Sequence, residues 1–170
     1  MKKVIKAKEQ KDALLYINPE IAEQHKEAGN KLFKDGDFPG AIKEFDEGIK
    51  RDPENKFLYS NRSFAYIKLM EPTRALADAN KAIEIDPGFV KAWARKGTCH
   101  QLHKEYHKSM EAFEKGLQLD PESKECKEGA QKTQMLIMKN ATASSGNDQE
   151  RMEHAMADPE IQNIMRDPSV

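Results

Sequence analysis

No stretch of this sequence approaches the roughly 20 consecutive apolar residues that a membrane-spanning helix requires. The lysine-rich start, Met1 to Lys11, also lacks the apolar run of a secretory signal. The chain therefore reads as a soluble, cytoplasmic protein with no membrane partner. Cysteine is scarce: Cys99 and Cys126 are the whole complement, too few for a disulfide framework and in keeping with free thiols in a reducing compartment. An excess of either charge is missing too. The 28 lysines and arginines nearly cancel 29 aspartates and glutamates, so no summed field steers the molecule to nucleic acid, and any electrostatic function must be local. No glycine-rich phosphate loop is present. Structural zinc sites pair their ligands, and no Cys-x-x-Cys occurs among Cys99, His100, His103, His107 and Cys126, so these carry no metal expectation. Cys99 and His100 do not make a nucleophile and base either, because adjacent residues on a helix point about 100° apart. The expectation is a chain with no catalytic residues and no cofactor.

What is present is a repeat. Asp52-Pro53, Asp86-Pro87 and Asp120-Pro121 recur every 34 residues, as do Ala41, Ala75 and Ser109, while Gly29 and Gly97 lie two such periods apart. Units counted from Ala22, Lys56 and Val90 carry Gly29, Ser63 or Gly97 at the eighth slot and Phe45, Ala79 or Phe113 at the twenty-fourth. Each unit holds two apolar-periodic stretches separated by a breaker, as at Met70 to Pro72, and ends on Asp-Pro. That is one helical hairpin per unit. A lone hairpin cannot bury its apolar face, so the units must stack, with the small residues where helices approach closely and the first helix of each hairpin on the concave surface. The spacing predicts an all-α, helix-hairpin solenoid of three repeats, at about 22–55, 56–89 and 90–121. A capping helix follows over 122–140, its apolar side expected at Met135, Leu136 and Met138. Trp93 and the phenylalanines fall at helical spacing and read as core.

On the first helices, Lys26 and Asn30 are four residues apart, as are Lys91 and Arg95, and Asn61 lies between them on the middle unit. Three cations and two amides with no acid among them suit a ligand with two neighbouring carboxylates, such as a peptide ending in Asp. The alternative is an ordinary solvated helix face, since lysine and asparagine are common surface residues. A plain scaffold using the convex face is the corresponding functional alternative.

The period, together with Gly29, Leu32, Ala41, Phe45 and Pro53 and with Trp93, Gly97, Ala112 and Pro121, resembles the tetratricopeptide-repeat family over about 100 of the 170 residues. The set Lys26, Asn30, Asn61, Lys91 and Arg95 resembles, slot by slot, the carboxylate clamp of chaperone-binding tetratricopeptide domains. That resemblance implies an adaptor that binds the Glu-Glu-Val-Asp tail of cytosolic seventy- and ninety-kilodalton heat-shock chaperones, with the clamp module of a different co-chaperone as the nearby alternative; because its repeats are capped, a monomer is expected. By slot, it implies that Phe33, Ser60, Phe64, Ile67, Lys68 and Ala94 form the peptide pocket beside the clamp. The chain departs from the family at His25, where a bulky residue is usual, at Pro72, and at Phe64, where many clamp domains keep alanine.

Both ends resemble chaperone-organising co-chaperones. Tyr16-Ile17-Asn18-Pro19 is similar to the link that enters their third tetratricopeptide domain, which makes residues 1–17 a lead-in helix left from a preceding domain. Residues 141–148 read as a linker. Residues 149–170, with Asp158-Pro159 and Asp167-Pro168, are similar to the opening of the Asp-Pro-rich helical domain that follows, so the chain reads as a piece of a longer protein with this stretch poorly ordered.

Overall fold

A computed structural model describes the backbone of residues 16–157 and the side chains of residues 16–142. Seven helices span the described residues: α1 Pro19–Lys34, α2 Phe38–Arg51, α3 Lys56–Lys68, α4 Pro72–Ile85, α5 Val90–Leu102, α6 Tyr106–Leu119 and α7 Lys124–Ala157. The chain divides into two compact units, with the boundary after Gln131. The first contains the three hairpins and the opening of α7.

Local chemistry starts and stops each helix. Asn18 Oδ1 accepts from the Ile21 amide at 3.1 Å, Asp37 Oδ1 from Gly40 at 2.9 Å and Asn55 Oδ1 from Phe57 at 3.2 Å, so side chains satisfy otherwise orphaned donors. Pro19 and Pro72 occupy the first position of α1 and α4, where a missing N–H costs nothing. Pro72 is thus a helix start rather than a defect in packing. The second helix of every hairpin ends at an aspartate, Asp52, Asp86 or Asp120, with φ between −146° and −140°. Each precedes proline, whose ring excludes the helical conformation from the residue before it.

The first helices end differently. Gly36 (φ 86°), Met70 (57°) and Lys104 (60°) take the left-handed conformation at equivalent places, and the amides around them return to carbonyls of the last turn. The Gly36 and Asp37 amides reach Phe33 O (3.1 Å) and Leu32 O (2.9 Å), and the Met70 and Glu71 amides reach Ile67 O (3.0 Å) and Tyr66 O (2.9 Å).

The core is built hairpin by hairpin. One cluster joins Ala22, Ala41, Phe45 and Leu58, a second joins Tyr59, Ala82 and Ala92, and a third joins Ala94, Phe113 and Cys126. Each takes residues from both helices of one hairpin and from the helix that follows, the quasi-one-dimensional packing of a solenoid. Small residues admit the large ones: a Cβ on Gly97 would sit 2.7 Å from the Phe113 ring. Ser63 Oγ donates to Ala75 O at 2.7 Å and Ser109 Oγ to Gly97 O at 2.9 Å, tying the two helices of a hairpin together. Tyr59 and Trp93, one repeat apart, each donate to a proline carbonyl, of Pro53 and Pro87 respectively, at 2.9 Å. His25 holds the same slot in the first unit and instead pairs with Glu44 at 2.7 Å.

Arg62 on α3 crosses to Asp46 on α2 (2.7 Å) and Asp78 on α4 (2.6 Å). Burial opposes the Arg62 charge, but the hydrogen bonds and charges of Asp78 and Asp46 outweigh it and raise the pKa. Burial pushes the Asp78 carboxyl above its ordinary value against the pull of Arg62.

Helix α1 packs directly on α3, and α3 on α5, while α2, α4 and α6 approach one another less closely. The stack therefore curves with the first helices inside.

Two expectations change at the C-terminal side. Met135 and Met138, expected to be buried, are exposed, and Leu136 is half-buried. Cys126 and Ala130 form the packed side of α7, and at 100° per residue Met135 falls about 180° from Cys126. The residues read as a linker, 141–148, are helical, since α7 continues to Ala157. Gly146 weighs most against helix there, at about 1 kcal/mol, Ser, Thr, Asn and Asp less, and no proline intervenes before Pro159. The expectation for residues 1–17 falls almost entirely outside the described residues, as does the end of the 149–170 segment.

Candidate functional site

The polar candidates lie on the three inner helices, and contacts join Asn30 to Asn61 and set Arg95 against the aromatic side chain of Phe64 from the middle helix. Lys26 and Asn30 lie a turn apart on α1, Asn61 on α3, and Lys91 and Arg95 a turn apart on α5. Asn61 Nδ2 donates to Asn30 Oδ1 at 2.8 Å, joining the first two helices across the groove. Lys26 Nζ sits 5.3 Å from the centre of the Phe57 ring and 2.6 Å from Glu23. Lys91 is exposed and borders a recess of about 450 Å³ between α5 and the start of α7, with Phe89, Val90, Ser123 and Glu125.

Arg95 is the most enclosed cation of the set, its side chain 13% exposed. The guanidinium carbon lies 3.9 Å from the centre of the Phe64 ring, Nη1 donates to Glu125 at 3.1 Å, and Nε is buried without a partner. Burial pulls its pKa down and Glu125 pulls it part of the way back. The guanidinium remains charged, because arginine does not deprotonate in proteins.

The apolar side of the groove is aromatic. Phe33 stacks on Phe64 with centroids 4.8 Å apart and planes at 29°, and Phe38 meets Phe33 edge-on at 5.2 Å. Lys68 Nζ is exposed, 5.2 Å from Phe64. Ile67 is half-buried. Ser60 and Ala94, placed in the pocket by slot, are each only 2% exposed and sit in the wall behind it, where a ligand finds little of their surface.

Two acids were missed. The five candidates contain none, yet Glu23 and Glu125 each neutralise one of their cations. Glu23 was visible three residues before Lys26 on one helix face, whereas Glu125 lies on α7, 30 residues after Arg95, and no spacing rule reaches it. Phe57, 46% exposed and flanked by Lys26 and Lys56, was also missed. Away from the groove, His100 pairs with Glu105 at 2.6 Å, and burial pushes the Cys99 thiol up to about 12. Among the described residues, no three His, Cys, Asp or Glu side chains gather as a metal site.

Residues 90–123 match the tetratricopeptide repeat as a family. Stress-induced-phosphoprotein 1 of Caenorhabditis elegans is 42% identical over the whole of this chain and 50% of its own length. The structure of the TPR2AB-domain:pHSP90 complex of yeast Sti1 is similar with a TM-score of 0.74 and 37% identity, covering 78% of this chain and 54% of that one. The TPR2B-domain:pHsp70 complex of yeast Sti1 is similar with a TM-score of 0.64 and 38% identity, covering 68% of this chain and 97% of that one. The chain spans half or less of the curated relatives' length.

Proposed function

Because the chain belongs to the tetratricopeptide-repeat family, we propose that its inner groove captures the free C-terminus of a peptide ending in Asp, and that it serves as a co-chaperone adaptor for seventy- and ninety-kilodalton heat-shock chaperones. The observation that carries this is the bridging of Asn30, Asn61 and Arg95 across three adjacent helices around the Phe33 and Phe64 rings, with Lys26 and Lys91 one turn before Asn30 and Arg95 on the same helices. A terminal Asp offers two carboxylates a few ångströms apart, and each charge-assisted hydrogen bond contributes about 1.5–3 kcal/mol before desolvation is charged against it. A short peptide held this way binds at about micromolar strength, close to −8 kcal/mol.

The groove also sets a register. Asn61 and Lys68 are seven residues apart on α3, about 10.5 Å at 1.5 Å per residue, which an extended peptide crosses in roughly three residues. With the terminal Asp at Asn61, the penultimate side chain lies over Phe64 and the residue three before the end meets Lys68. Glu-Glu-Val-Asp has valine and glutamate at those places. Relatives named as Hsp70-Hsp90 organizing proteins, and yeast Sti1 domains in complex with pHsp70 and pHSP90, support the same assignment. The module works by binding rather than catalysis: holding a chaperone by its tail in the cytoplasm raises the local concentration of whatever else the longer protein carries.

Fluorescence anisotropy with a labelled peptide ending in Glu-Glu-Val-Asp tests this. Binding is expected to weaken with salt, to fall at least tenfold on amidation of the C-terminus (about 1.4 kcal/mol), and to be lost in Lys91→Ala and Arg95→Ala. Equal binding of acid and amide would overturn the assignment.

A further inference from the structure

Phe64 stands at the ninth slot of the second unit, where Asn30 and Thr98 stand in the first and third. Its ring is stacked on Phe33 from α1 at 4.8 Å and lies under the Arg95 guanidinium from α5 at 3.9 Å. Both contacts are too short to share one face, so Phe33 and Arg95 occupy opposite faces of the ring. The result is a three-layer stack, Phe33, Phe64 and Arg95, running across the groove with one layer from each inner helix.

Arg95 is costly to hold in this place. Its Nε is buried without a partner, and burial disfavours its charge. A ring face stabilises a desolvated guanidinium through the π system and leaves the N–H donors at the edge of the fork for hydrogen bonds. The hydrogen bond to Glu125 holds one end of the fork, and the Phe64 ring supports its central carbon. Neither contact alone does both.

We infer that Phe64 is the positioning residue of this groove: it orients the Arg95 guanidinium before a ligand arrives, so that a carboxylate meets a preset fork instead of ordering a flexible side chain. This rests on the reading of the groove as a carboxylate clamp. Preset geometry acts chiefly by lowering the ordering cost of binding, and its loss appears mainly in the dissociation rate.

The test is a double-mutant cycle on the Glu-Glu-Val-Asp free-acid peptide, with affinity and dissociation rate measured for wild type, Phe64→Leu, Phe64→Tyr, Arg95→Lys and Phe64→Leu with Arg95→Lys. Leucine keeps the groove filled but has no ring face, whereas tyrosine keeps the ring. Phe64→Leu is expected to bind about tenfold more weakly, through faster dissociation, while Phe64→Tyr stays within about twofold. A lysine ammonium has no plane to stack, so in the Arg95→Lys background Phe64→Leu is expected to change little further. Full affinity in Phe64→Leu, or the same tenfold loss with and without Arg95, would overturn the positioning role while leaving the clamp intact. A wild-type protein that does not prefer the acid over the amide overturns the clamp itself and this inference with it.

Discussion

Three equivalent turns end the inner helices in the left-handed conformation, but only the first uses glycine. Met70 and Lys104 hold φ of 57° and 60°, where a Cβ crowds the following carbonyl, and Met70 is 68% exposed and contributes little packing. Replacing each with glycine removes a conformational cost of about 1–2 kcal/mol. Glycine's greater freedom in the unfolded chain returns about 0.4–1 kcal/mol of that, so the net gain is about 0.5–1 kcal/mol at each site. The turns lie 34 residues apart in sequence and share no hydrogen-bond partner, so the two gains add to about 1–2 kcal/mol. For a chain of 170 residues that is a rise in midpoint of about 2–4 °C per kcal/mol. Thermal and urea unfolding followed by circular dichroism at 222 nm measure it. The paired control is Gly36→Ala, which places a Cβ at φ 86° and is expected to lower stability by about 1 kcal/mol. A Met70→Gly, Lys104→Gly protein no more stable than wild type, or less so, would refute the reasoning, because backbone strain would then not be the controlling term at these turns.

Removing Arg62 leaves the 7%-exposed Asp78 without its counter-charge, so Arg62→Ala is expected to cost about 3–5 kcal/mol in urea unfolding at neutral pH. Burial holds the Asp78 carboxyl above its unfolded value, so the native state takes up the proton first and the stability of this variant falls as pH rises through that window. The gap to wild type is therefore expected to narrow as the pH falls and the Asp78 carboxyl takes up its proton, and to be widest at neutral pH; an unchanged gap would show that Asp78 carries no uncompensated charge. With the Cys99 thiol raised to about 12, its thiolate fraction at pH 8 is about 10⁻⁴, and burial raises Cys126 as well. A thiol reagent at pH 8 is expected to label neither residue in the native protein and both in denaturant, and rapid native labelling would place them at the surface. Gly97→Ala drives a Cβ to 2.7 Å from the Phe113 ring and is expected to lower the unfolding midpoint, with Phe113→Leu added to it restoring part of the loss; a neutral Gly97→Ala would mean the ring has room to move.

What could be read from residues and what could not divide along a physical line. The hairpins were legible because Asp-Pro punctuation and the pairing of Gly29 with Phe45 and Gly97 with Phe113 repeat in register, and each signal is local or follows from the period. The placement of Lys26, Asn30, Asn61, Lys91 and Arg95 on three neighbouring inner helices follows from the same spacing. The Arg95 to Glu125 pair was not legible, since it depends on how α7 crosses α5, and nothing in either segment alone encodes that crossing. Phe64 stood out as an unusually large residue for its slot, but its contacts with Phe33 and Arg95 depend on how α1 and α5 pack against α3. Ser60 and Ala94 were assigned by slot alone, which says which helix face a residue occupies and not how deeply its neighbours cover it. Along α7, Met135 and Met138 were read as buried from hydrophobicity, while Cys126 and Ala130, smaller and less apolar, set the packed face.

The central claim is that the inner groove, and not the outer face, receives the ligand. Titrating ¹⁵N-labelled protein with the Glu-Glu-Val-Asp peptide and following the side-chain amides of Asn30 and Asn61 tests it most directly, because these groups are bonded to each other in the free groove. The account predicts saturable shifts of both amides and of α1, α3 and α5 backbone resonances, absent with the amidated peptide. Shifts confined to exposed positions of α2, α4 and α6, with the two asparagine amides unmoved, would contradict it.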